Sequence, residues 1–310
     1  MVREPRGKPE PGGGAELISL HGGHSGEFCS HASGTLEETI RSYIDRGFAR
    51  VGLTEHMPPA DDRWLYPEER AAGLDSAALR RRFAGFVAAG RELQKKYSSR
   101  IAIHVGAETE AWPGWVPAAR DLVEACRLDY LVGSVHHVAG IPFDYSPDEY
   151  AAAVLETGGA DELYRRYFDL QLEVIERLRP GVVGHLDLVR IHDPDWEARL
   201  ERPGIAGRIR RNLERIRELG LIIDCDCRLL PEGGETYPAR KILLAARELG
   251  VGVVPGDDSH SPEAAGRGVR EGIRLLEELG FPTDWPLPAM NRNRREKTAS
   301  PAGGGAEGPA

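Results

Sequence analysis

Eight of the ten histidines in this 310-residue chain fall at or just after the ends of short apolar runs. The runs close on His21, Glu55-His56, Glu108, His136-His137, His185, Asp224/Asp226 and Asp258/His260; only His104 and His192 fall elsewhere. Imidazole and carboxylate without thiolate are the donors that suit Zn, Mn or Fe. Seven or more such donors exceed what one tetrahedral ion takes. The pattern therefore predicts a cluster of two to three divalent metal ions. Ions clustered about 3.5–4 Å apart lower the pKa of water and clamp charged oxygens, the chemistry of phosphoesterases and aminopeptidases.

The segments differ in how strongly they speak. After the first run comes HGGHSGEFCSHASG, with His21, His24 and His31 among glycines that allow tight turns and a close approach to an ion. Glu55-His56 reads equally as a ligand pair and as a satisfied polar pair. Glu108 and Glu110 share a side if the strand continues through them, so that one carboxylate bridges two ions; a solvated acidic turn is the alternative. His136 and His137 are adjacent and point oppositely in extended chain, so only one belongs at a metal. His185 ends its run, and Asp187 stands where it can orient an imidazole or hold a proton. Arg190 is the nearest base able to clamp a phosphate through two parallel hydrogen bonds, or else a solvated arginine. Asp224 and Asp226 read as structural, with Arg228 beside them. Asp258-x-His260 follows a glycine turn at a spacing that lets both side chains reach neighbouring ions.

The elements that must bring these residues together alternate along the chain. Strand candidates are 17–21, 49–54, 101–107, 129–134, 181–185, 221–225 and 251–256, short apolar runs of the kind found in buried parallel strands. Helix candidates are 35–46, 75–97, 116–127, 160–179, 203–219, 238–249 and 262–279. In 203–219 the residues Ile205, Ile209, Leu213 and Ile216 mark one face, and Gly220 and Gly250 stand at C-cap positions. Seven βα units predict an α/β fold. A closed or nearly closed barrel sends every strand's C-terminal end to one mouth, whereas an open sheet gathers only two or three at its switch point. Convergence of seven ends favours the barrel over residues 15–290, between tails at 1–14 and 291–310 that are expected to be disordered.

The net charge of −9 argues against a nucleic-acid partner. It leaves room for a small anionic substrate, since bound cations reverse the local sign. Cys29, Cys126, Cys225 and Cys227 form no CxxC pair, which suits a reduced compartment. The N-terminus lacks a secretory apolar region, and no run is long enough to span a membrane. A cytoplasmic protein is expected.

In order and spacing, FCSHA after the first strand, TEH, GAETE, GSVH, GHLD and GDDSH followed by Pro-Glu resemble the PHP superfamily (polymerase and histidinol phosphatase). Within it the chain is most similar to the PHP-type histidinol-phosphate phosphatases, over roughly residues 17–280, with Tyr237-Pro238 also fitting. The resemblance implies a distorted (β/α)7 TIM-like barrel with a trinuclear metal site. Its implied ligands are His21, His24, His31, His56, Glu108, His136 (in preference to His137), His185, Asp258 and His260. It further implies phosphomonoester hydrolysis of L-histidinol phosphate in histidine biosynthesis. From the residues themselves, Glu108, Asp187 and Arg190 are expected at the chemistry and Arg190, Arg228 and His137 toward substrate. The family opens with H-x-H. This chain has His21-Gly22-Gly23-His24, which leaves open whether both histidines reach the site. The rival readings are a phosphoesterase for another small ester, such as a nucleotide or sugar phosphate, and an inactive metal-binding relic.

Overall fold

A computed structural model describes residues 15–291. The tails expected at 1–14 and 291–310 lie outside the described residues, except Asn291. Its backbone N–H donates to Asp129 O at 2.8 Å and its side chain to Leu128 O at 3.1 Å.

The elements run β1 (Ile18–Ser19), α1 (Leu36–Asp45), β2 (Arg50–Leu53), α2 (Pro67–Ala71), α3 (Ser76–Lys96), β3 (Ala102–Val105), β4 (Ala107–Glu108), α4 (Trp115–Cys126), β5 (Leu131–Gly133), β6 (His137–Val138), β7 (Ile141–Pro142), α5 (Pro147–Thr157), α6 (Ala160–Leu178), β8 (Val182–Val183), α7 (Trp196–Leu200), α8 (Pro203–Leu219), β9 (Ile222–Asp226), α9 (Arg240–Leu249), β10 (Gly252–Gly256) and α10 (Val269–Glu278). One parallel sheet has the order β1-β2-β3 and another β10-β9-β8-β5-β4. Backbone hydrogen bonds bridge both seams. At the first, Gly106 N–H donates to Leu53 O, Glu108 N–H to Glu55 O and Met57 N–H to Glu108 O, so β3 and β4 continue one strand across Gly106. At the second, the N–H groups of Asp257 and Asp258 both donate to His21 O, at 3.3 and 3.0 Å. Seven strand positions thus circle one axis, and the fold is the distorted (β/α)7 arrangement predicted above.

The apolar runs build this ring because their side chains meet cover on both faces. Val51, Leu53, Val105, Val132, Val182, Ile223 and Val254 are all buried. Outside the ring, α8 turns Ile205, Ile209, Leu213 and Ile216 inward, the face read from its 3.6-residue spacing. Gly220 and Gly250 end α8 and α9 at φ 64° and 71°, as C-cap glycines do. A buried amide relay ties this layer to the strand ends: Asn212 donates to Phe168 O and Gln171 Oε1, and Gln171 donates to Leu186 O, next to His185. Each of these groups is satisfied, as burial requires.

Some elements depart from expectation. The hairpin β6–β7 and helices α2, α5 and α7 occupy stretches with no predicted element. The last helix, expected from 262, starts only at Val269. Gly266 and Gly268 hold φ near 76° and 78°, and a Cβ on Gly268 would come 2.1 Å from Cys227 O. That close approach ties the loop to the end of β9 and excludes helical backbone.

Inside the ring, Tyr130 fills the space left by glycine. A Cβ on Gly52 would lie 1.9 Å from its hydroxyl, which donates to Leu20 O at 2.6 Å, one residue before His21. Tyr130→Phe leaves that buried acceptor unpaired. Urea unfolding should show a loss of about 1–3 kcal/mol with an unchanged m-value.

Candidate metal centre

The Glu108 side chain is fully buried where the two sheets meet. Its Oε1 lies 3.0 Å from His21 Nε2, 3.1 Å from His136 Nε2 and 2.8 Å from His185 Nε2. Its Oε2 lies 3.7 Å from His56 Nδ1 and 3.9 Å from His24 Nε2. Asp258 Oδ1 completes the inner group, 3.6 Å from His21 Nε2 and 3.4 Å from His24 Nε2. Strand ends β1, β4, β5, β8 and β10 therefore deliver side chains to one point, the mouth that a parallel barrel creates.

The glycine spacer accounts for the place of His24. Gly22 and Gly23 adopt φ of 140° and 74°, conformations that cost glycine little. A Cβ on Gly22 would meet Ser259 N at 2.9 Å, and one on Gly23 would meet Leu53 Cδ2 at 2.7 Å. The chain thereby folds back, and both His21 and His24 reach the cluster despite the H-G-G-H spacing. Asp258 sits at φ 38°, its N–H held by His21 O.

A carboxylate stands behind each of four imidazoles. Asp224 Oδ2 lies 2.5 Å from His21 Nδ1, while its Oδ1 accepts the His185 N–H at 2.7 Å. Glu55 Oε1 lies 3.1 Å from His24 Nδ1, Glu110 Oε1 2.6 Å from His56 Nδ1, and Asp144 Oδ2 2.8 Å from His136 Nδ1. An acceptor at Nδ1 fixes the tautomer that leaves Nε2 free, and raises its basicity as a ligand. The structural role read for Asp224 is thus specific: it aims His21 and holds the strand of His185. Asp226 instead pairs with Arg228 Nε at 2.7 Å.

An outer group contains His24, Cys29, His56 and His260, whose donor atoms lie within 4.8 Å of one another. Here sulfur enters a donor set expected to hold only nitrogen and oxygen. The turn in which Phe28 N–H and Cys29 N–H both donate to Ser25 O carries the thiol inward. His31 stands further out, its side chain 41% exposed, with Nε2 3.3 Å from Cys29 Sγ and its ring 5.1 Å from that of His56. His260 stacks on His24 at 4.3 Å. Glu110 joins His56 and His136 in a further group. In the sequence Cys29 stands in the FCSHA motif and forms no CxxC pair, so nothing there marks it as a ligand. Only the two-residue spacing of Glu110 from Glu108 signalled Glu110, and nothing singled out Asp144.

The residues expected toward substrate divide. Arg228 borders the mouth, its Nη1 2.5 Å from Asp258 Oδ2. Arg190 is buried, donating to Asp187 Oδ2 at 3.0 Å and Thr236 O at 2.6 Å, between Trp196 and Tyr237. It is thus not a solvated arginine, and these bonds hold its guanidinium within the fold. Asp187 also accepts the Ala239 N–H. His137 is buried behind Glu110, its Nδ1 3.4 Å from Glu110 Oε2.

Burial works against charge on these groups, and the cluster overrides it. Desolvation lowers the pKa of His21, but Glu108, Asp258 and Asp224 outweigh it and hold it well above the ordinary value. His136 is raised the same way by Glu110, Asp144 and Glu108 against desolvation. Desolvation raises Glu108, yet His21, His136 and His185 bring it well below the carboxylate range. Burial raises Asp187, and Arg190 only partly offsets it. His21 Nε2, His24 Nε2, His56 Nε2, Glu108 Oε2 and Asp258 Oδ1 are buried without a hydrogen-bond partner. Buried polar atoms are normally paired. Four of these orphans belong to one group and the fifth, on His56, to the group beside it; all are metal donors, and they fit divalent cations.

A parallel α/β barrel with buried histidine and carboxylate at the mouth defines a metal-binding enzyme of barrel type. Residues 20–226 match the PHP domain, and the chain belongs to that family. It is 35% identical over 269 residues to the "Probable histidinol-phosphatase" of Schizosaccharomyces pombe, covering 85% of this chain and 87% of that protein. It is 26% identical to the histidinol-phosphatase of Saccharomyces cerevisiae, over 79% and 84% of the two chains. Among solved structures, a candidate histidinol phosphatase of Listeria monocytogenes superposes with TM-score 0.72 at 24% identity, over 82% of this chain and 99% of that one. The Lactococcus lactis histidinol phosphate phosphatase, solved with zinc, L-histidinol and phosphate, gives 0.63 at 19%, over 86% and 95%. These two likenesses establish the fold.

Cations and protons compete for the same atoms. Raised histidines stabilise the metal-free fold fully below their unfolded pKa and lose that contribution as pH rises through the folded value; lowered carboxylates contribute fully above their unfolded pKa and lose it as pH falls through the folded value. Metal-stripped protein should therefore gain most from the cluster between about pH 4.5 and 6.5, the unfolded values of the two group types. Above that window its stability falls, and the rise in Tm on adding zinc grows. Calorimetry of stripped and zinc-loaded protein across that range checks this.

Proposed function

We propose that this protein is a metal-dependent phosphomonoesterase that hydrolyses L-histidinol phosphate to L-histidinol and phosphate. The observation carrying this reading is the convergence of unpaired buried donors on Glu108 and Asp258 beside Arg228, in a chain 35% identical to a histidinol-phosphatase relative. The inactive-relic reading rested on the H-G-G-H spacing, and both histidines stand in the cluster, which removes its support.

In this reading His21, His24, Glu108 and Asp258 hold one ion, and Glu108, His136 and His185 a second. His56 and His260, with Cys29 or His31, hold a third. Zinc suits the mixed nitrogen, oxygen and sulfur donors best, with Mn or Fe as alternatives at the sulfur-free positions. Bound divalent ions would supply charge neutralisation and make water a competent nucleophile at neutral pH.

The chain's own groups do the positioning. Arg228 is held by Asp226 and Asp258 with its guanidinium at the mouth. There it pairs with phosphoryl oxygens by charge-assisted hydrogen bonds, the electrostatic stabilisation that phosphoryl transfer chiefly needs. Arg190 and Arg228 both lie over the Tyr237 ring, at 4.0 and 5.7 Å. Arg190, fixed by Asp187, adds positive potential behind it. His137 acts through Glu110, which holds His56.

The test is phosphate release from L-histidinol phosphate, ranked within a panel of phosphomonoesters, on protein whose bound metals have been counted. The phosphate of L-histidinol should give the highest kcat/KM. Arg228→Ala should lower it by about 100- to 1000-fold while metal content is retained. A nucleotide or sugar phosphate ranking first would replace the substrate assignment.

A further inference from the structure

The mouth opens into a cavity of about 290 Å³ bordered by both Arg228 and Asp144. Metal ligation and phosphate neutralisation explain Arg228, Asp258 and His260 at this cavity. The aiming of His136 explains only one oxygen of Asp144, which follows the β6–β7 hairpin and borders the cavity from outside the strand-end set. One of its oxygens, Oδ2, lies 2.8 Å from His136 Nδ1. The other, Oδ1, is buried with no hydrogen-bond partner. Asp258 also borders the cavity, with its Oδ2 on Arg228 and its Oδ1 turned to His21 and His24. Tyr145, directly after Asp144, is 41% exposed at the rim, and Ile191 adds an apolar wall.

An unpaired carboxylate oxygen at a cavity edge is a ready acceptor for a cation. His136 reaches Glu108 Oε1 through Nε2 and Asp144 through Nδ1, so one imidazole ring separates Asp144 from the reaction centre. In L-histidinol phosphate the ammonium sits on the carbon next to the ester methylene, about as close to the phosphate. Resting on the histidinol-phosphatase reading, we infer that Asp144 is a specificity-determining residue: its free Oδ1 receives the substrate's ammonium group, with the imidazole ring against Tyr145 and Ile191. The cavity then has a cationic feature for the phosphate and an anionic one for the amine. That combination selects aminoalkyl phosphates over sugar phosphates and nucleotides, which have no ammonium at that position.

The experiment compares L-histidinol phosphate with its deamino analogue, the phosphate ester of 3-(imidazol-4-yl)propan-1-ol, in metal-loaded wild type and Asp144→Asn. The quantity read is the ratio of the two kcat/KM values. Asparagine keeps an oxygen for His136 Nδ1, and any loss transmitted through His136 lowers both rates equally and cancels in the ratio. Wild type should prefer the amine-bearing ester by about tenfold or more, and Asp144→Asn should bring the ratio close to one. Wild type with equal rates on both esters overturns the inference without recourse to the variant. So does a variant whose two rates fall together with the ratio kept. Wild type that releases phosphate from neither ester overturns the phosphatase reading, and the inference with it.

Discussion

The rest of the site depends on one buried carboxylate. Glu108 accepts hydrogen bonds but cannot donate them, and its two oxygens are surrounded by imidazole nitrogens of His21, His136, His185, His24 and His56. Burying an ionised carboxylate without a compensating cation is among the costliest arrangements in a protein interior. Protons on the imidazoles meet that demand in part, and divalent cations meet it fully. The surrounding construction serves the second solution. Asp224, Glu55 and Asp144 each take the Nδ1 of a ring whose Nε2 points toward Glu108, and Glu110 takes the Nδ1 of His56. Gly22 and Gly23 bend the chain so that His24 joins the same point.

The same constraint explains how a chain of net charge −9 can handle an anion. The carboxylates that give the site its negative sign are the ones that hold cations, and Arg228 is fixed by two of them, Asp226 and Asp258. Charge on the molecule as a whole therefore says little about charge at the mouth. The path from sequence to function runs through that local reversal of sign.

What was legible in the sequence follows from how a parallel barrel is built. Its strands are buried on both faces and read as apolar runs. Their ends all lie at one mouth, so His21, Glu108, His185 and Asp258 announce themselves by position, as does the pair His136-His137, between which only the family resemblance chooses. The residues set by loop geometry were not legible in this way. Whether Cys29 or His31 turns inward depends on the tight turn at Ser25–Cys29, which no periodicity records. Asp144 follows a hairpin in a stretch with no strand signal. Arg190 reads in the sequence as a phosphate clamp or a solvated arginine, because Thr236 and Tyr237, which help to hold it, come from a distant part of the chain. The H-G-G-H spacing was ambiguous until the positive φ of both glycines gave its geometry.

The most direct test of the central claim removes the charge of Glu108 and nothing else. Glu108→Gln keeps the shape of the side chain and replaces an acceptor facing the imidazoles with an amide. Bound metal should be counted and phosphate release from L-histidinol phosphate measured on the same preparation, with circular dichroism confirming the fold. The account requires metal and activity to fall together, each by well over about tenfold, since the hub ligand rather than an orienting group is lost. A folded Glu108→Gln protein that keeps its full metal complement and its activity would contradict it.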